Sequence, residues 1–560
     1  MKPFLALAGA FVLLASCSYK EAAVFPFASD GDVAIYGLSK NAAQGFLALS
    51  GDGKLEYVFD GPLKIPDDAS IEIDYSFSPS QSDDATPGQI VLSLGENSWE
   101  LPWSFSFLGF AESPDELRYV IPVPPLSLDR LSIAFIPAEK SENKNAPRLR
   151  IHAMALARRW FGYSREDALA PVAASPFVYM KNASLYIDPP QAFRIKGKAE
   201  LLIDGPGEFP GGLKIEGGNE GPGYFRMEAS NPAVKFTVPD VFIGSGSFPL
   251  MIDSITAGSD IKSVKLLPAP QRPFPEPIPA DPGLILAWPK EAFRDPRLEV
   301  FRWEGFPQVL IFDMADYDVQ DRFLKRLAFF VEKAGFRGRL AKDEEIANLH
   351  GWNAHDYRAS ALAGFFEAAR KTDFPLLKEE KELESILLAA GILRKSSNGA
   401  IEEGEGAIVS VSQESKGYLR TLFMVHESFH GLYFIDSDFR NYSRQRWEAL
   451  PQVPKRFILS YFGYQAYDTR DTDLVINEFM AHILQQPVSQ AAKYFGESLA
   501  GRINESEWRR SVLPAKDEAS GTWPELAEAF TQEAQAFSSY VNRRFGLAAG
   551  RVRKVSIRFD

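Results

Sequence analysis

The chain has 560 residues, with 61 basic against 74 acidic side chains, a net charge of −13 and a single cysteine. The acidic balance argues against nucleic acid as a partner, because phosphate binding needs a basic footprint. The length exceeds what one hydrophobic core serves and points to about three domains, while the lone thiol excludes an intramolecular disulfide.

The start of the chain reads Lys2, an apolar run from Phe4 to Leu14, and then Leu14-Ala15-Ser16-Cys17. A basic start followed by an apolar stretch too short to span a bilayer is an export signal, here residues 1–16. The small residues before Cys17 resemble the lipobox of bacterial lipoproteins. On that resemblance Cys17 is the lipidation site, carrying thioether-linked diacylglycerol and an N-acyl chain, and the acyl chains hold the protein on a lipid bilayer at about 0.8 kcal/mol per buried methylene. The implied location is the bacterial cell envelope outside the cytoplasm. Ser18, where an Asp would mark other cargo, favours the outer membrane.

Residues 17–160 are rich in Gly, Pro and Ser with short alternating runs at Ile71–Tyr75, Gln89–Leu94, Leu131–Ile136 and Leu149–Ala153. They predict an antiparallel β-sandwich. Residues 170–266 offer a second set of strands, separated by the turns Gly205-Pro206-Gly207 and Gly221-Pro222-Gly223, and predict a second sandwich. Such modules bind glycans or proteins or serve as spacers, and nothing in these segments marks a binding site. Pro268, Pro270, Pro273, Pro275, Pro277, Pro279 and Pro282 make 267–283 a stiff extended linker.

Residues 284–560 read as a mainly helical α+β domain. Strands are expected at Leu284–Leu286 and Val309–Phe312. An amphipathic helix follows, with Phe323, Leu324, Leu327, Phe330 and Val331 on one side and Gly335 as its stop. Further helices are expected over 357–370 and 379–394. The segment Asn353-Ala354-His355-Asp356-Tyr357 reads either as a substrate-contacting loop or, preferably, as a helix cap by Asp356 beside a surface His355. Ala407–Ser412 is a short strand. Trp523–Phe545 is an amphipathic helix, and Arg551, Arg553, Lys554 and Arg558 form a solvated basic edge.

The most informative motif is His426-Glu427-Ser428-Phe429-His430 within the apolar stretch Tyr418–Tyr433. This HExxH pattern puts two imidazoles one turn apart on one helix face, where both can bind a single zinc ion. Glu427 beside them can take a proton from metal-bound water and pass it to a leaving amine. Catalytic zinc needs a third protein ligand. Asp436 lies six residues after His430, but that geometry needs a helix-breaking Gly where Tyr433 stands. Glu478 is preferred, on a second apolar helix begun by an Asp cap at Asp473 and closed by Pro487.

From Ala407 to Gln486 the chain resembles the gluzincin metallopeptidases, in which an HExxH helix is followed by a second helix carrying an Asn-Glu pair. Asn477-Glu478 matches that pair. The resemblance implies a zincin-like peptidase domain holding one zinc ion per chain through His426, His430 and Glu478, with a protein or peptide as substrate. One turn beyond the ligand Glu the family often has an Asp that orients the first zinc histidine. His482 takes that place here, so the hydrogen-bonded support behind the zinc ligands, to which Asn477 also belongs, is altered or reassigned. The interval Ser437–Thr472 is longer than in the smaller gluzincins and predicts a further helix or two over the cleft. From it Tyr467 is the candidate for stabilising the oxyanion of a tetrahedral intermediate. The competing reading is a non-catalytic lipoprotein that binds glycan or protein through its β-modules and holds a structural or degenerate zinc, which the intact Glu427 opposes, because a structural zinc needs no general base.

Overall fold

The computed structural model describes residues 33–559 apart from 42–45, 66–68, 79–87, 96, 103–116, 124–125, 138–147, 166–171, 183, 196, 209–212, 217–222, 244–247, 254–260, 350, 352, 466, 505–512, 518 and 520. The export signal and Cys17 lie outside the described residues. The chain forms two compact units, one of Met1–Val178 with Pro189–Arg194, the other of Tyr179–Asp188 with Ile195–Asp560. No helix among the described residues is long and apolar enough to cross a membrane.

The first unit is built of β-strands. Ala69–Ser78 pairs antiparallel with Leu117–Pro122 on one side and Arg148–Arg158 on the other. Phe46–Ile65 pairs with Leu126–Pro137, which also pairs with Gly88–Leu94. All four runs expected in this region fall within these strands. Alternation is clear where the side chains are described: Ile71, Ile73 and Tyr75 are buried while Glu72 and Asp74 are half-buried, the pattern of a sheet with one face in a core.

The second unit joins strands and helices. Ala199–Glu208 pairs with Gly223–Val238 and with Ser263–Pro268. Gly205-Pro206-Gly207, expected to turn, continues a strand instead. Its register shifts between Pro206 and Glu208, a bulge that absorbs a proline lacking an N–H for the ladder. Of the other expected turn, Gly221 and Pro222 lie outside the described residues. Val555–Phe559 comes back to pair with Gly223–Met227, so the basic C-terminal stretch includes a sheet strand.

A five-stranded sheet organises the remainder: β1 (Ile278–Ala280), β2 (Leu298–Trp303), β3 (Val309–Met314), β4 (His355–Arg358) and β5 (Ala407–Ser412), in the order β1-β2-β3-β5-β4. Within the Pro-rich stretch, Ile278–Ala280 supply β1 as an edge strand parallel to β2. Leu284–Leu286, expected as a strand, lies in the short helix Pro282–Ala287. There Asp281 caps by accepting from the Gly283 N–H at 2.8 Å, with Pro282 at the first position.

The helices are α1 (Tyr317–Val331), α2 (Ala359–Lys371), α3 (Lys378–Ala389), α4 (Gly417–Ile435), α5 (Ser437–Ala449), α6 (Gln452–Tyr464), α7 (Thr472–Leu484) and α8 (Pro524–Phe545). Strand parity sorts the sheet's residues between two faces. Leu310, Phe312, Tyr357 and Ile408 join a core with Phe323 and Leu327 of α1, Leu362 and Phe366 of α2, and Leu383 and Ile386 of α3. Val309 and Val409 point the other way, onto α4. There Gly431 allows close approach, since a Cβ at that position would lie 3.0 Å from Val309 Cγ1 and 3.4 Å from Val409 Cγ1. The start of α4 is tied to the same sheet face by Arg420, which donates to Asp313 Oδ2 at 2.5 Å and to the carbonyl oxygens of Leu286 and Ile285.

Candidate metal centre

Helix α4 is buried along most of its length, with Met424, Val425, Phe429 and Leu432 in the core. Its four-residue spacing brings the His426 and His430 rings to 4.7 Å, with their Nε2 atoms 3.1 Å apart. Helix α7 is capped by Asp471, which accepts from the Asp473 and Leu474 N–H groups; Asp473, expected as the cap, sits in the first turn. This helix delivers Glu478, whose Oε2 lies 3.6 Å from His426 Nε2 and whose Oε1 lies 3.7 Å from His430 Nε2.

These separations suit a metal. A tetrahedral zinc with bonds of about 2.0–2.1 Å keeps its ligand atoms about 3.3–3.4 Å apart, close to the edges found between His426, His430 and Glu478. Glu478 Oε2 is buried and makes no hydrogen bond, which is costly for an acceptor unless something else satisfies it. The donor set and the orphaned oxygen both fit a zinc ion.

Glu427 is buried beside this group, and its Oε2 also makes no hydrogen bond. Burial first, then the charges of Asp356 and Glu478, push its carboxyl well above the usual range. Asp356 stands beside it, and burial pushes the Asp356 carboxyl up to about 6, against the pull of His426. Asp356 Oδ2 also stands 3.8 Å from His430 Nδ1. Burial moves His430 down to about 4, against the pull of Glu478. A bound cation would reverse the pressure on these acids.

The place of Asp356 follows from strand parity. It lies in β4, which pairs antiparallel with β5, so alternate residues face opposite sides. His355 and Tyr357 go to the core side, where His355 Nδ1 and the Tyr357 hydroxyl are 2.9 Å apart. The preferred sequence reading, a surface His355 with Asp356 as a helix cap, is therefore replaced: His355 is buried, and Asp356 faces α4. The other reading, a substrate-contacting loop, differs in form, because His355–Arg358 is a strand, with Asp356 Oδ2 3.8 Å from His430 Nδ1.

His482 lies one turn beyond Glu478, its Nε2 4.0 Å from Glu478 Oε2 and its ring 5.0 Å from that of His426. Burial, followed by His426 and His430, pushes it well down, so it is neutral. The residue that orients His426 is Gln485. Its Oε1 lies 3.0 Å from His426 Nδ1 and its Nε2 lies 3.0 Å from His482 Nδ1 and 2.5 Å from the Tyr494 hydroxyl. An amide oxygen only accepts, so His426 carries its hydrogen on Nδ1 and presents a bare Nε2 to the centre.

Tyr467 is half-buried, within reach of the charges of Glu478, Glu332, Glu427 and Asp356. Burial and those charges push its hydroxyl well up, so it stays protonated. Asp436, the alternative third ligand, caps α5 through the Phe439 N–H at 2.8 Å and pairs with Arg544 at 2.8 Å. Sequence reasoning passed over Gln485, although Glu478, His482 and Gln485 share one face of α7 at spacings of four and three, the only polar stripe along an apolar helix end. A narrow cleft lined by Glu332, Arg337, Asp356, Arg358, Phe434, Asp473 and Glu478 borders the site.

The sequence matches no protein-family model and no curated protein. Solved structures are similar only remotely. One is of botulinum neurotoxin type C, described for cell entry dependent on two ganglioside molecules, at 8% identity over 43% of this chain and 93% of that one, with a TM-score of 0.17. Another is the ANX1 ectodomain from Arabidopsis thaliana, at 10% identity over 40% and 82%, with the same TM-score of 0.17. The plant receptor-like kinase FER is similar at 10% identity over 42% and 87%, again at a TM-score of 0.17.

Proposed function

We propose that this protein is a membrane-anchored zinc peptidase with a zincin-like C-terminal domain. The observation that carries the reading is the convergence of His426 Nε2, His430 Nε2 and both Glu478 oxygens at 3.1–3.7 Å beside a buried Glu427 that is not a ligand. The placement of an HExxH helix against a helix bearing Asn477-Glu478 is the one the gluzincin resemblance implies. β4 supports a peptide substrate, because among the described residues it pairs only with β5, and its free edge suits an extended chain.

A zinc ion held by the three ligands would leave a position for water, lower that water's pKa and polarise a carbonyl. Glu427 takes the proton at its unpaired Oε2 and returns it to the leaving amine. The Asp356 charge beside the Glu427 carboxyl raises that carboxyl's hold on the proton it takes. The protonated Tyr467 hydroxyl donates to the oxygen on which charge develops. Cys17 carries the lipid anchor.

The test is a peptide library with metal analysis of the full chain. Glu427→Gln should keep one zinc equivalent and lose turnover by between about a hundredfold and ten-thousandfold. Near wild-type cleavage with zinc bound would exclude this motif as the catalyst. Mass spectrometry of the mature terminus tests the anchor, which an unmodified Cys17 would remove.

A further inference from the structure

We propose that Gln485 holds His482 off the metal and thereby keeps the centre at three protein ligands with one open position. The inference rests on the zinc reading above and concerns how many donors that zinc receives. His482 is within range to be a ligand: one donor atom each from His426, Glu478 and His482 lie within 4.8 Å of one another. To bind, its Nε2 must present a lone pair. Gln485 Nε2 donates to His482 Nδ1 at 3.0 Å, which places the ring's one hydrogen on Nε2, facing Glu478 Oε2 at 4.0 Å.

A carboxamide has one accepting and one donating end, so it imposes opposite tautomers on the two imidazoles it touches. His426, meeting the oxygen, is left bare at Nε2 and binds. His482, meeting the nitrogen, is left protonated at Nε2 and has no lone pair there to offer. The Tyr494 hydroxyl, 3.2 Å from His482 Nδ1, can donate or accept and so does not fix the tautomer by itself. A carboxylate at position 485 has only acceptors. It would leave both histidines with Nδ1–H and bare Nε2, converting an open site of three ligands into a closed one of four, the arrangement of structural zinc.

The experiment is X-ray absorption and visible spectroscopy on the cobalt-loaded full chain, with chelator release measured alongside. Wild type should show two imidazoles and an exchangeable water. Gln485→Glu should show three imidazoles and no exchangeable water, with metal release slowed about tenfold or more. Adding His482→Phe to Gln485→Glu should restore two. Three imidazoles in wild type, or two in a folded Gln485→Glu, would overturn the proposal. His482→Phe alone decides the matter if Gln485→Glu does not fold: two imidazoles retained supports it, and a loss of one overturns it. A wild-type chain that takes up no cobalt overturns the zinc reading as well, and is distinguished from the other outcomes because no ligand count then exists.

Discussion

Helix α4 carries two buried polar clusters, and they differ in kind. Near its start, Arg420 meets Asp313 at 2.5 Å, with Gln413 donating to the same oxygen at 2.7 Å: opposite charges face each other. Further along the same helix, Glu427 faces Asp356 and Glu478, and every group acting on it pushes its carboxyl the same way, upward. The first cluster pairs opposite charges, although Asp313 Oδ1 and Arg420 Nε stay buried without a hydrogen bond, whereas the second gathers acids around imidazoles. Buried like charges are retained where chemistry needs them, so the contrast separates the charge-paired part of α4 from the part that gathers like charges.

The contrast can be broken most severely at Arg420. Arg420→Met leaves Asp313 buried without its counter-charge, and urea unfolding should show a loss of about 3–5 kcal/mol. Glu427→Gln in the same assay should show no loss of stability without metal, because it removes an acid from among acids; a comparable loss in both variants would erase the distinction. A smaller effect is expected at Glu304, where burial, then the charge of Asp281, raises the carboxyl to about 7, against hydrogen bonds from Thr237. Its pKa is raised on folding, so its contribution is full below the ordinary carboxylate range and lost as pH rises through about 7. The melting temperature should therefore fall between pH 5 and pH 8, and Glu304→Gln should flatten that dependence.

What was legible in the sequence is what depends on local spacing. The HExxH pair, the apolar wrap of α4, strand β5 and the helix that bears Glu478 follow from periodicity and caps. The two helices after Asp436 were expected from the length of the interval. Asp356 was not legible as a partner of Glu427, because its side is decided by the pairing of β4 with β5, a contact between segments distant in sequence. Leu284–Leu286 misled because three apolar residues suit strand or helix equally, and Asp281 with Pro282 decides. In the proline-rich stretch composition shows stiffness, but not that β2 offers Ile278–Ala280 a neighbour.

The last strand bears on how the second unit loses its structure. Val555 N–H and Lys554 N–H both donate to Asp281, up to 274 residues away in the chain, and Val555–Phe559 completes a sheet begun at Gly223. Closing so long a loop carries a large entropic cost, recovered only when both ends are seated. The strand-rich and helical parts of this unit thus share one closure, and heat or denaturant should undo them in a single cooperative step. Proteolytic trimming at the C-terminus, far from α4 in sequence, would loosen the support of Pro282–Ala287, whose backbone carbonyls hold Arg420 and with it the helix that carries His426 and His430.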